Sequence, residues 1–228
     1  MTQPTTPDTN RWIPLFPLPL VALPGDLVPL HIFEPRYRSL IADCLDAAES
    51  GAFAEFGICL FHEEQLHDWG CLVRIDKILQ RYPDGRLDIL THGTRPFRLL
   101  RVRDEKSYRE AQVGVVEDAP DEVPEPELLR RVESLCEVYS GLVQPGGTVA
   151  GGLPDQPPSF RLAGQAIADP LIRQSLLEKS GERERLVYLA AFFEKAIPRL
   201  RKLEEINHRV KTNGHFKKIP GGEESLAE

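Results

Sequence analysis

The stretch that most constrains this chain runs from Ile13 to Tyr37. It reads Ile13-Pro14-Leu15-Phe16-Pro17-Leu18, then Leu23-Pro24-Gly25, then Pro29-Leu30-His31-Ile32-Phe33-Glu34-Pro35-Arg36-Tyr37. Prolines set among apolar residues argue for edge or irregular strands, because each removes a backbone donor from a ladder. Pro24-Gly25 reads as a turn: Pro presets one corner and Gly accepts positive φ at the next. Pro35 suits the first turn of a helix, where its missing N–H is not needed. Glu34 before it suits the positive end of the helix dipole. Two strand-like pieces handed to a helix form a compact nucleus, and the rest of the chain must close around it.

Downstream, the period of the apolar residues assigns the elements. Tyr37, Leu40, Ile41, Cys44, Leu45 and Ala48 recur at helical spacing, which predicts a helix over about 35–50 with Gly51 as its stop. From Glu55 the pattern becomes strand-like. Phe56 to Phe61 reads as a buried strand, His62 to Trp69 as a polar loop, and Gly70 to about Leu79 as a strand. Pro83-Asp84-Gly85 then leads into Arg86 to Thr91, and Asp-Gly between such runs signals a hairpin. Gly93 punctuates before Phe97 to Val102, and Ala111 to Val116 ends the series. Many short strands at close spacing predict a small closed or half-closed barrel.

The composition then shifts. Residues 117–127 are acidic and Pro-rich and read as a linker. Leu128, Val132, Leu135, Cys136 and Tyr139 return to helical spacing. Gln144 to Pro158 reads as a flexible loop. Ser159 is the expected cap of a short helix, and Asp169-Pro170 the start of another. A last helix carries Leu186, Leu189, Phe193, Ile197, Leu200 and Leu203, with a kink expected at Pro198. The fold class is therefore α+β: a disordered N-terminus (1–10), a β-rich lobe (11–118), an acidic linker (119–127), a helical lobe (128–210) and a mobile tail (211–228).

These pieces resemble the N-terminal, substrate-binding domain of ATP-dependent Lon proteases. The resemblance rests on the opening motif, on Gly70-Cys71-Leu72-Val73-Arg74-Ile75, and on Asp84-Gly85-Arg86-Leu87, Gly93 and Arg95-Pro96-Phe97-Arg98-Leu99. Gln174-Ser175-Leu176-Leu177-Glu178 and Glu184-Arg185-Leu186 match the family's helical half more loosely. The resemblance implies a PUA-like β-barrel lobe, a C-terminal helical bundle and a role in engaging polypeptide. The chain has no Gly-rich loop ending in Gly-Lys-Ser/Thr. It also leaves no room after residue 205 for a protease domain with a Ser/Lys pair. The expectation is a stand-alone, non-catalytic LON-domain protein with no cofactor.

Candidate chemistry is sparse. Cys59-x-x-His62 followed by His67-x-x-x-Cys71 places four soft ligands in a short span, a possible zinc set. No CxxC knuckle accompanies it, and free cysteines commonly serve as small buried apolar residues, so no metal is expected. Pairing a cysteine with His31, His62 or His67 for nucleophilic chemistry needs an oriented base that spacing alone does not supply. Glu34 and Arg36 read as a satisfied helix-start pair or as a polar anchor of a groove. Arg95, Arg98, Arg101 and Arg103 cluster along one stretch, with Arg101 and Arg103 on one face.

A net charge of −7 opposes a general nucleic-acid binder, whose affinity comes from neutralising phosphates. No apolar run approaches the roughly 18 residues of a membrane span, and residues 1–9 lack the pattern of a secretory signal, so a cytoplasmic protein is expected. The leading expectation is a module that binds exposed segments of unfolded polypeptide, in protein quality control or beside a partner protease. Phe33, Arg36, Tyr37 and Phe97 are its candidate contacts. Alternatives are an adaptor docking one folded partner, an RNA-binding PUA-like protein, and a hydrolase with an unrecognised site.

Overall fold

The computed structural model describes residues 12–116, 124–143 and 156–213. Strands β1 (Trp12–Leu18) and β2 (Leu27–Ile32) precede helix α1 (Pro35–Glu49). Strands β3 (Glu55–His62), β4 (Gln65–Arg81), β5 (Leu87–Arg103) and β6 (Glu110–Val115) follow. Helices α2 (Pro126–Val143), α3 (Pro158–Ala166), α4 (Pro170–Leu177) and α5 (Glu182–Asn213) complete the order. No helix among the described residues is long and apolar enough to cross a membrane.

The strands form one mixed sheet in the order β2-β5-β4-β3-β1-β6, and β6 also pairs with β5. Strands β1, β3, β4, β5 and β6 thus form a closed circuit of pairings, from which β2 hangs as an edge strand on β5. The β1–β3 pair is parallel, and the remaining pairs are antiparallel. Inside the circuit, Ile13, Leu15, Leu72, Phe97 and Val113 make one buried cluster. Outside it, α1 lays Tyr37, Leu40, Ile41 and Cys44 on Phe16, Phe56, Ile58 and Ile89. A third cluster holds the helices together around Val132, Phe160, Leu176, Leu189 and Phe193, and includes Val21, Leu23 and Leu60 from the strand region.

The local signals at α1, the Asp84-Gly85 turn and α4 match what folds. Gly85 has φ of +86°, and Asp84 accepts from the Arg86 amide at 3.1 Å. Asp169 caps α4 by accepting from Leu171 N–H at 2.8 Å. Several expectations need correction. The two runs flanking Gly93 are one continuous strand, β5. Gly93 marks a close approach instead: a Cβ there would sit 2.1 Å from the Leu23 carbonyl oxygen. The loop expected over His62 to Trp69 shrinks to Glu63 and Glu64, both at positive φ, because β4 starts at Gln65. Pro157, not Ser159, is the N-cap of α3. Helix α5 runs through Pro198 and reaches Asn213, so residues 211–213 are helical. Pro126 and Glu127 already belong to α2. The expected disordered 1–10, the acidic stretch up to 123, residues 144–155 of the expected loop and the tail after 213 lie outside the described residues.

Two polar clusters tie the helices down. Arg185 of α5 is fully buried. It donates to Ser159 Oγ at 2.9 Å and to Glu182 Oε2 at 3.0 Å, and its guanidinium lies 4.3 Å from the Phe160 ring centroid. Glu182 in turn accepts from the Ser159 N–H at 2.8 Å and from its hydroxyl at 2.5 Å. A carboxylate from one helix thereby satisfies orphan donors in the first turn of another. Elsewhere, Arg173 of α4 donates to Val21 C=O at 2.9 Å, to Ile167 C=O at 3.0 Å and to the Asp26 carboxylate. Asp26 also accepts from Leu23 N–H at 2.8 Å. Burial pushes the Asp26 carboxyl above its ordinary value, with Arg173 and the Leu23 amide opposing that rise.

Candidate functional site

One cleft exists because β1 changes partners along its length. Trp12–Pro14 pair with β6, whereas Leu15–Leu18 pair with β3. Leu15 still donates to Arg109 C=O at 2.8 Å. Beyond it the β6 side of β1 opens into a cleft of about 470 Å³. Its walls are Leu15, Pro17, the first turn of α1 at Arg36 and Tyr37, Phe61 on β3, and the Asp104–Arg109 connection between β5 and β6. Tyr37 is buried with its ring centroid 3.9 Å from that of Phe16. Arg36 lies 4.5 Å over the Tyr37 ring and donates to Glu34 at 2.8 Å. Glu34 and Arg36 pair with each other, as one of the two expectations for them has it, while Arg36 also lines the cleft.

Each cation of this cleft has a carboxylate. Arg109 meets Asp104 at 3.3 Å. Lys106 donates to Asp43 at 2.7 Å and to the Tyr108 hydroxyl at 2.8 Å, and Tyr108 donates to Asp43 at 2.5 Å. This clasp joins α1 to the β5–β6 connection. Hydrogen bonds from Lys106 and Tyr108 hold the Asp43 carboxyl below its ordinary value. The bond to Asp43 raises the Lys106 ammonium, and burial, then the bond to Asp43, pushes Tyr108 up to about 12.

The sign of the pH dependence follows from these directions. Tyr108 keeps its proton when folded but loses it near 10.0 when unfolded, so stability falls as pH rises from 10.0 to about 12. The Lys106 contribution is fully present below 10.5 and is lost at higher pH, and the Asp43 contribution is lost as pH falls below 3.8. Asp43→Asn is expected to flatten both limbs, as read by denaturant midpoints across pH. The loss at neutral pH is about 1 kcal/mol or less, because Asp43 and Lys106 are both solvent-exposed.

A second concavity, about 260 Å³, lies between the sheet and the helices. Pro19, Leu20 and the start of β2 form one side; Gly164, Ala168, Pro170 and Arg173 form the other. The Asp26–Arg173 pair is part of its lining. Leu27 is 51% exposed at its rim. At the far end of β2, Phe33 is 58% exposed, with its ring 5.9 Å from that of His31. Tyr82 packs edge-on to His31, also at 5.9 Å. Asp88 fixes both: His31 Nδ1 lies 2.5 Å from Asp88 Oδ1, and Tyr82 donates to Oδ2 at 2.7 Å.

The four anticipated contacts therefore separate. Arg36 and Tyr37 share the first cleft, and Phe33 stands on the surface at the end of β2. Phe97 is fully buried, corrected here from contact to core. Its ring fills the space above Gly70, where a Cβ would come within 2.5 Å of it. Burial of such a ring contributes about 1.5–3 kcal/mol, which is reason enough for an aromatic there. Phe61, Lys106 and Tyr108 also line the cleft, and Leu27 lines the groove, none of them foreseen. Leu27, Pro29 and His31 are exposed and alternate with Val28, Leu30 and Ile32, so the signal for a half-buried edge strand was present in the pattern.

Cys59, His62, His67 and Cys71 do not converge. Cys71 pairs across from Ile58, and Cys59 from Gly70, which sends the two thiols to opposite faces. Among the described residues no three His, Cys, Asp or Glu side chains form a metal-binding group. Burial raises all four thiols: Cys44 to about 12, and Cys59, Cys71 and Cys136 upward as well. Thiolate is the reactive species. Native protein is therefore expected to leave all four cysteines unlabelled by an aromatic disulfide reagent at mildly alkaline pH, with four equivalents released in denaturant. Rapid labelling of a native thiol would contradict this.

Of the arginine series, Arg95 pairs with Glu55 at 3.1 Å. Arg103 donates to Glu110 at 2.9 Å and lies 4.2 Å over Trp12. Half of the basic stretch is thus committed to carboxylates inside the fold.

A circuit of five strands with an edge strand, one helix on its outer face and four further helices packed against Val21, Leu23 and Leu60 defines a mixed α+β domain of the Lon N-terminal type. The chain belongs to the ATP-dependent protease La (LON) substrate-binding domain family, whose model matches residues 12–195. Among solved structures it is similar to the Lon N-terminal domain protein from Xanthomonas campestris, at 31% identity and a TM-score of 0.60, covering 79% of this chain and 98% of that one. It shares its fold with the N-terminal domain of the Mycobacterium avium complex Lon protease, at 18% identity and a TM-score of 0.58, covering 81% and 98%.

Proposed function

We propose that this protein is a non-catalytic module that binds exposed segments of unfolded polypeptide, acting in protein quality control or proteolysis in the cytoplasm. The observation that carries this is the groove between the sheet and the helices. It is rimmed by exposed Leu27 and lined by Leu20, Val21 and Val28, and its two charges, Asp26 and Arg173, neutralise each other. Pockets between structural units are common ligand sites, and the family model carries a substrate-binding name. The pairing circuit supports reading the β-rich part as a PUA-like barrel lobe, with residues 128–210 as a separate helical lobe.

The test is a titration of the protein with a fluorescently labelled, permanently unfolded polypeptide. Saturable binding is expected, weakened at least tenfold by Leu27→Asp, since a buried unpaired carboxylate is strongly disfavoured. Absence of binding, or binding indifferent to Leu27→Asp, rejects the groove as the site. A second reading, an adaptor docking one folded partner, is favoured by Leu203 and Ile206, both exposed on the last half of α5. Recovery of one folded partner at fixed stoichiometry, lost in Leu203→Asp, would select it.

A further inference from the structure

We propose that polypeptide binds as an added strand on the free edge of β2, an extended and uncharged segment reaching from the inter-lobe groove to Phe33. The inference rests on the polypeptide-binding reading and specifies its mode.

Among the described residues, strand β2 ends the sheet and pairs with β5 alone. The direction of its backbone groups follows from two bonds. Asp26 C=O accepts from Gly93 N–H at 2.9 Å, and Val28 C=O accepts from Thr91 Oγ1 at 3.0 Å, so both carbonyls face β5. Directions alternate along an antiparallel strand. The backbone groups of Leu27, Pro29 and His31 therefore face away from the sheet. They offer three acceptors but only two donors, because Pro29 has no N–H. Side chains of the same three residues are exposed. From Leu27 to Phe33 the edge spans roughly 20 Å at about 3.3 Å per residue, the length of a six- or seven-residue strand. Leu20 and Pro170 border one end, and the Phe33–His31–Tyr82 group stands at the other.

The charges nearby select the occupant. Asp26 is paired with Arg173, Glu34 with Arg36, and Asp84 with Arg86, while Asp88 is held by hydrogen bonds with His31 and Tyr82. Among the described residues each of these carboxylates is already engaged, so none is left to attract a basic segment, and an uncharged segment complements the edge. A second copy of β2 complements it less well. Over Leu27–Phe33 the antiparallel register of greatest overlap sets each Pro29 against His31 of the other copy, so two ladder bonds are lost, one to each proline. A foreign segment with an N–H at every position loses only one, and it donates to Pro29 C=O.

Strand addition takes its affinity from main-chain hydrogen bonds, which gives a direct test. The probe is an end-capped octapeptide alternating valine and serine, made unmodified and in two N-methylated forms, one methylated at odd and one at even positions. With full-length protein, the unmodified peptide should bind and slow amide exchange at Leu27 and His31 at least tenfold. One N-methylated form should lose at least tenfold in affinity while the other binds as the parent does. If the unfolded polypeptide binds but both methylated forms bind equally, or if Leu27 and His31 stay unprotected, strand addition is wrong and the broader reading stands. If neither the peptide nor the unfolded polypeptide binds, both fail. Protection at Leu27 and His31 that depends on protein concentration without peptide would assign the edge to a second copy and overturn the proposal.

Discussion

Arg185→Ala is expected to destabilise the protein by about 3–5 kcal/mol, the cost of stranding the partner of a buried charge. The Glu182 carboxylate would remain buried, still accepting from Ser159 but without its cation. The Phe160 ring would lose the guanidinium stacked on it. The readout is a denaturant midpoint that falls with unchanged slope, or a drop in Tm of roughly 10 °C or more for a chain of this size. Arg185→Met combined with Glu182→Gln removes both charges and keeps volume, and should recover part of the loss. It should not recover all of it, because the Glu182 carboxylate also closes the first turn of α3. A loss below about 1 kcal/mol in Arg185→Ala would mean that water reaches the site and replaces the guanidinium, within the range of an exposed pair.

Arg173→Ala carries the second large effect, about 3 kcal/mol, from the loss of a partly buried ion pair and two bonds to carbonyls. Arg173 joins α4 to the strand region through Val21 and Asp26, partners more than a hundred residues away in sequence. Its removal should therefore raise amide exchange in α4 more than in α5, which the Arg185 network still holds. Asp26→Asn should cost less than Asp26→Ala, because the amide oxygen can still accept from Leu23 N–H. The coupling between positions 26 and 173 is measurable by a double-mutant cycle. Uniform exchange across both helices in Arg173→Ala would show that the pin is not what seats α4.

Features set within a few residues were legible in the sequence. Pro35 starts α1, and the spacing of Tyr37, Leu40, Ile41 and Cys44 gives its buried face; Leu45 is only half-buried and Ala48 is exposed. Asp84-Gly85 makes its turn, and Asp169 caps α4. These follow from steric and hydrogen-bonding preferences that act over one turn of chain, so the local pattern suffices. The opening stretch likewise marks the family, but its prolines foretell only half of the strand placement: β2, with Pro29, lies at an edge, whereas β1, with Pro14 and Pro17, lies between β3 and β6.

What the tertiary structure decided depends on residues distant in sequence. Phe33 and Phe97 are the same residue type, yet one is exposed and the other fully buried, because the circuit of strands closes around Phe97 and brings Gly57, Gly70, Leu15 and Val113 to it. Arg173 and Arg185 look like any surface cations in the sequence; the neighbours that desolvate them come from other elements, and the carboxylate for Arg173 lies 147 residues away. The cleft beside Arg36 and Tyr37 arises from a change of partner halfway along β1, and the free edge of β2 from its place at the end of the sheet. A chain's local pattern sets which faces can be buried. Which of them are buried, and which backbone groups are left unpaired, is settled by the long-range pairings.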